Sequence, residues 1–127
     1  MIDWKFANKL RPHNRNETFK HFIAKAIAFK ILFNAGYLVY SEHDVTKGDL
    51  NKSNNKTRVA DVIAYDGHNT SEPTLSIVVE VETKPTKKHN KELMKFYEDR
   101  TLYIIDLRKI SEDIVEMEKQ IKHILGL

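Results

Sequence analysis

Thr57–Lys84 reads TRVADVIAYDGHNTSEPTLSIVVEVETK. An apolar, partly β-branched run up to Tyr65 stops at Asp66-Gly67, a polar tract Asn69–Pro73 follows, and Ile77, Val78, Val79 and Val81 resume the apolar pattern. That is the pattern of two strands, about Arg58–Tyr65 and Thr74–Thr83, joined by a turn, with Pro85 ending the second. Asp61 stands early on the first strand, and Glu80 and Glu82 follow the apolar run of the second. Alternate residues of a strand share a face, so Glu80, Glu82 and Lys84 are expected to project the same way. If the hairpin sets Asp61 beside them, three carboxylates converge on one small volume. Like charges that close repel unless a cation or a shared proton intervenes. Oxygen donors suit a hard cation, Mg2+ or Mn2+.

Upstream of the hairpin, Met1–Arg15 is basic, with Trp4 and Phe6 as anchors and Pro12 as a breaker, and reads as an arm packed on the domain. Asn16 is the expected N-cap of a helix over Glu17–Asn34, with Gly36 as its stop. Phe19, Phe22, Ala26, Phe29 and Phe33 form one stripe, and Ile23, Ile27 and Ile31 widen it, so the helix should be nearly buried against a sheet. Glu17, His21 and Lys25 are spaced by four along one line beside Ala24 and Ala28. A lysine in such a setting usually snorkels to the edge, and a lone histidine is more often a hydrogen-bonded rim residue than a catalyst. Gly36–Glu42 reads as a first strand, and the polar stretch His43–Lys56 as a loop.

Downstream, Lys87–Arg100 reads as a second helix with Leu93, Phe96 and Tyr97 inward. Thr101–Leu107, TLYIIDL, is apolar enough for a central strand. Ser111 is the expected cap of a third helix carrying Ile114, Met117, Ile121, Ile124 and Leu125 at helical spacing. The order α-β-β-β-α-β-α predicts an α/β fold: an antiparallel meander and a β-α-β crossover in a mixed four-stranded sheet flanked by helices.

The 127 residues suit a single domain, 1–127. Absence of cysteine excludes disulfides, zinc–thiolate sites and cysteine nucleophiles, and fits an intracellular, cytoplasmic protein. No apolar run is long enough for a membrane span, so no membrane partner is expected. The net charge is only +3, but residues 1–30 hold seven Lys/Arg against Asp3 and Glu17, and Lys84–Lys91 holds four lysines and a histidine with no acid. A basic front suits a polyanion.

Phosphodiester hydrolysis needs a polarised phosphorus, an activated water and charge neutralisation, all of which a carboxylate-held metal can provide. Asp61 and Glu80 are the expected ligands, Glu82 takes a second metal or orients the water, and Lys84 or Lys25 stabilises the transition state. Lys87, Lys88, His89 and Lys91 would contact DNA phosphates, with Lys47–Arg58 as a second contact. The competing account is a half-exposed strand whose outward positions are charged for solubility alone.

The ordered set Glu17, His21-Phe22, Lys25, Asp61-Val62, Glu80-Val81-Glu82-Thr83 and Ile104–Arg108 resembles the PD-(D/E)xK nuclease superfamily. That group includes restriction endonucleases and archaeal Holliday-junction resolvases, and the full set also resembles small archaeal and archaeal-virus proteins of that type. It spans about Glu17–Arg108. The resemblance implies a restriction-endonuclease-like fold, magnesium-dependent cutting of DNA and an extra acid from the first helix, Glu17. The superfamily's lysine position, two residues after the motif acid, holds Glu82 if Glu80 is that acid; the register Glu82-Thr83-Lys84 matches the pattern literally. An acid there leaves open a non-catalytic DNA-binding module on the same fold. A homodimer would suit an enzyme that cuts two strands.

Overall fold

The structure, a computed structural model, describes residues 5–11, 17–47, 56–67 and 76–127. Helix α1 spans Phe19–Asn34, and its N-cap is Thr18, whose side chain accepts from the His21 N–H. The expected cap Asn16 lies outside the described residues. The buried face of α1 is Ala24, Lys25, Ile27, Ala28, Ile31 and Leu32. The phenylalanine stripe is not that face: Phe19 is 76% and Phe33 48% exposed. The reason is approach distance. Ala24 and Ala28 are fully buried, and two small side chains let the helix backbone lie close to the sheet, where a row of rings would hold it off.

Four strands follow among the described residues: β1 Leu38–Lys47, β2 Lys56–Tyr65, β3 Ser76–Glu82 and β4 Thr101–Asp106, in the spatial order β1-β2-β3-β4. The first two pairings are antiparallel and the last is parallel, reached through helix α2, Lys87–Phe96. Helix α3, Ile114–Ile124, closes the order α-β-β-β-α-β-α. One core joins α1 and α3 to Val39, Val62, Val79, Val81 and Ile105. The other joins Leu93, Phe96 and Tyr97 to Tyr40, Ile63 and Val78. So α1 and α3 cover one face and α2 the other.

Several elements differ from the sequence reading. β1 runs five residues past Glu42, into a stretch whose polarity predicts a loop. Its partner is the polar start of β2, with Val45 against Arg58 and Lys47 against Lys56; pairing, not burial, holds this part extended. β4 is an edge strand, not a central one. The crossover sets it directly beside β3, and the chain then turns into α3 and adds nothing to its outer side. Asp113, not Ser111, caps α3; Ser111 instead accepts from the Asp113 N–H and donates its own N–H to Gln120. Part of the basic arm lies along β1: the Asn8 N–H donates to the Val39 carbonyl, the Val39 N–H to Asn8 Oδ1, and the Arg11 N–H to Ser41 Oγ. Among the described residues no helix is long and apolar enough to cross a membrane.

This packing orders two substitutions on α1. Phe19→Ala should change unfolding free energy by less than about 0.5 kcal/mol. Ala28→Leu should cost about 1–3 kcal/mol by overpacking. Urea unfolding of both variants measures this, and the reverse order would restore the phenylalanine stripe as the core face.

Candidate active site

The site forms where two strands change face together. In β1, Leu38 and Tyr40 pack on the α2 side, and so does Val45, an odd number of residues later. In β2, Ala60 and Ile63 share that side while Val62 between them packs under α1. Strict alternation forbids both patterns. The register nevertheless holds, with Ser41 opposite Val62 and His43 opposite Ala60. The break therefore falls on the facing residues Glu42 and Asp61. Glu42 has φ 49°, a left-handed conformation that costs a non-glycine residue about 1–2 kcal/mol.

On its other side β2 parts from β3 at the same point. Their ladder runs from Tyr65–Ser76 to Val62–Val79. Asp61 and Glu80 are next in register, and there side chains replace backbone partners. The Asp61 N–H donates to Glu80 Oε1 at 3.1 Å, and the Val81 N–H donates to Asp61 Oδ2 at 2.7 Å. Each carboxylate thus commits one oxygen to a backbone N–H. Asp61 Oδ1 and Glu80 Oε2 make no hydrogen bond among the described residues.

A buried ionic chain backs this pair from the α1 side. His21 Nδ1 lies 2.6 Å from Glu17 Oε2, and Nε2 lies 3.0 Å from the Val81 carbonyl and 3.6 Å from Asp61 Oδ2. The Glu17 carboxylate and the Val81 carbonyl are acceptors, an arrangement that favours a proton on each ring nitrogen and so the imidazolium of His21. Its pKa agrees. Burial works against the charge, but the hydrogen bonds and charges of Asp61 and Glu17 outweigh it and raise the value to about 9. Lys25, 0% exposed, donates to Glu17 and to Glu42, with Nζ 2.9 Å from an oxygen of each. It does not snorkel, because the flipped Glu42 brings a carboxylate to it.

The α2 side is different. Burial and then the charge of Asp61 push the Glu80 carboxyl well above its ordinary range, against the lowering effect of the Asp61 N–H. Tyr97 is buried beside this region, and its hydroxyl has no hydrogen-bond partner among the described residues. Burial and then Glu80 raise its pKa. Glu82 Oε1 lies 2.9 Å from His89 Nε2.

The structure therefore gathers Asp61, Glu80, Glu17, His21 and Lys25, and places Glu82 with His89 at the margin. Lys84 lies exposed in the bend after β3, and Lys87, Lys88 and Lys91 are exposed around the start of α2. His89 is engaged by the Glu82 carboxylate. Lys25 is enclosed by two carboxylates, so its charge acts on the site through Glu17. Sequence reasoning missed Glu42, whose signal was the polar Ser41-Glu42-His43 interrupting an apolar strand, and the phenol of Tyr97, whose helical spacing marked it only as core.

Comparison with family models, with curated proteins and with solved structures gave no significant match. The case for a cation therefore rests on the donor set. Among the described residues no three His, Asp or Glu side chains form a ready metal cage. Asp61 and Glu80 do fit a hard cation: two adjacent carboxylates, each with an oxygen to spare, one of them pushed toward its protonated form by burial and then by the charge of the other.

Two outcomes follow for metal-free protein. Lys25→Met should cost about 3–5 kcal/mol in urea unfolding, because Glu17 and Glu42 lose the buried counter-charge they share; adding Glu17→Gln and Glu42→Gln should recover much of the loss. The folded pKa of His21, about 9, exceeds its ordinary 6.5, so its contribution is complete below about pH 6.5 and is lost as pH rises through about 9. The gap in melting temperature between the parent and His21→Gln should close over that window; a gap independent of pH would mean that His21 is not charged in the fold.

Proposed function

We propose that the protein is a metal-dependent endodeoxyribonuclease of the PD-(D/E)xK type, on a restriction-endonuclease-like variant of its mixed α/β sheet. The observation that carries this reading is the pairing of Asp61 with Glu80 where the β2–β3 ladder opens, each holding a backbone N–H with one oxygen and keeping the other. The α-β-β-β-α-β-α order and the ordered residues of the resemblance support it. Asp61 Oδ1 and Glu80 Oε2 would hold Mg2+ or Mn2+. When bound, the cation would polarise the scissile phosphate and offset its charge.

The chain's own residues have separable tasks. Glu17, His21 and Lys25 are positioning residues: the imidazolium is anchored on Glu17 and fixes the Val81 carbonyl and Asp61. Lys25 locks Glu17 to Glu42 and so holds the strand flip in place. Glu82, oriented by His89, is the group placed to orient or deprotonate a water.

One observation favours a second reading. Lys25 has no exposed surface and Glu82 fills the motif's lysine position, which suits a DNA-binding module that does not cut. Incubation of plasmid and branched DNA with Mg2+ or Mn2+ separates the two. Cutting that drops about a hundredfold or more in Asp61→Ala and Glu80→Ala supports the nuclease. DNA that is shifted but left intact by every variant supports the module, and cutting that persists in both variants would falsify the assignment of the site.

A further inference from the structure

A cleft of about 780 Å3 lies between the ends of β1 and β2 and helix α2, away from the α1 side. Its lining includes Lys47, Lys56, Arg58 and Lys95, against a single carboxylate, Glu92. Among the described residues, ion pairing in this cleft is confined to Lys47, which donates to the Lys95 carbonyl at 2.7 Å and to Glu98 at 2.9 Å. Lys47 thereby ties the end of β1 to the last turn of α2 and to Glu98 just beyond it. Arg58 lies with its guanidinium 6.0 Å from the centre of the Phe96 ring, which orients it on the cleft floor. Lys56 and Lys95 are exposed. Lys56, Arg58 and Lys95 have no ion pair among the described residues and face one lining carboxylate, so they repel one another. The arrangement is explained by a polyanion that neutralises it.

We propose that this cleft, and not the lysines at the start of α2, holds the phosphodiester backbone of duplex DNA and leads it to Asp61 and Glu80. Position argues for this. Lys56, Arg58 and Asp61 lie on one strand, and at roughly 3.3 Å per residue Lys56 is about 17 Å from Asp61. At about 3.4 Å of helix rise per nucleotide, that distance corresponds to about five nucleotides. Arg58 lies between them on β2, so the cationic lining of the cleft continues along the strand toward Asp61. Lys47, reading as part of a loop in sequence, reaches the cleft because β1 extends past the flip at Glu42.

The choice of DNA rests on the nuclease reading, and the test separates the two. Binding of a labelled short duplex is measured by fluorescence anisotropy with chelator present, so that no cutting contributes, over a series of salt concentrations. Lys56→Gln combined with Lys95→Gln should weaken binding about ten- to hundredfold at moderate salt and reduce the slope of log affinity against log salt by about 2. Lys109→Gln combined with Lys122→Gln, exposed positions near and on α3, should leave the slope within about half of that change. Melting temperatures confirm that all variants fold. Loss of the slope in the cleft variant alone, with no cutting by any variant in metal, upholds the cleft and removes the nuclease. Metal-dependent cutting with an unchanged slope in the cleft variant, or equal losses in both double variants, overturns the cleft and spares the nuclease. Failure of the parent to bind duplex DNA also overturns it.

Discussion

The fold turns on the exchange of backbone for side-chain partners at Asp61 and Glu80. An antiparallel ladder that simply continued past Val62–Val79 would satisfy its own N–H groups and leave two acids as outward side chains. Here the strands part, and the carboxylates accept the N–H groups of Asp61 and Val81. Buried donors must find acceptors, at a penalty of about 1–3 kcal/mol each if they do not. The opening therefore needs side-chain acceptors on both strands, and here both are carboxylates. Burial, and then the charge of Asp61 beside it, disfavours the ionised form of Glu80.

Holding that opening requires the strand flip. Glu42 adopts a left-handed φ, and β1 and β2 change face together without losing register. The strain at Glu42 is offset by its contact with Lys25, and Lys25 tolerates full burial only because Glu42 and Glu17 both reach it. Removing two charges from water costs several kcal/mol per ion, so a buried lysine with one partner would be unfavourable. The flip, the lysine and the chain from Glu17 through His21 to Asp61 are parts of one electrostatic unit. That unit encloses Lys25 completely, so the lysine has no exposed surface.

The flip also shapes the outer half of the sheet. Past Glu42 and before Asp61 the strands carry polar residues, yet they stay paired and turn Lys47 and Arg58 toward α2. The site and the cationic cleft are thus two consequences of one change of alternation, the first at the point of the break and the second on the arm beyond it.

The order of elements was legible in the sequence, because hydrophobic period and turn residues are local signals. So was the candidacy of Glu80, since an acid directly after a β-branched run is costly and stands out, and with it that of Asp61, an acid early on the neighbouring strand. The helix α1 was legible as a helix but not as a face: Ala24 and Ala28 win the contact with the sheet over larger rings because closeness of approach, a tertiary quantity, decides it. Glu42 and the length of β1 were hidden for a related reason. A positive φ at a glutamate carries no composition signal, and polar residues form a strand only when another strand is there to bond them. Lys25 shows the division most plainly. Sequence placed it on a line with Glu17 and His21, since helical spacing is fixed at 3.6 residues per turn. Whether its charge meets water, a phosphate or a second carboxylate depended on a residue from another element, and only the folded chain brought Glu42 there.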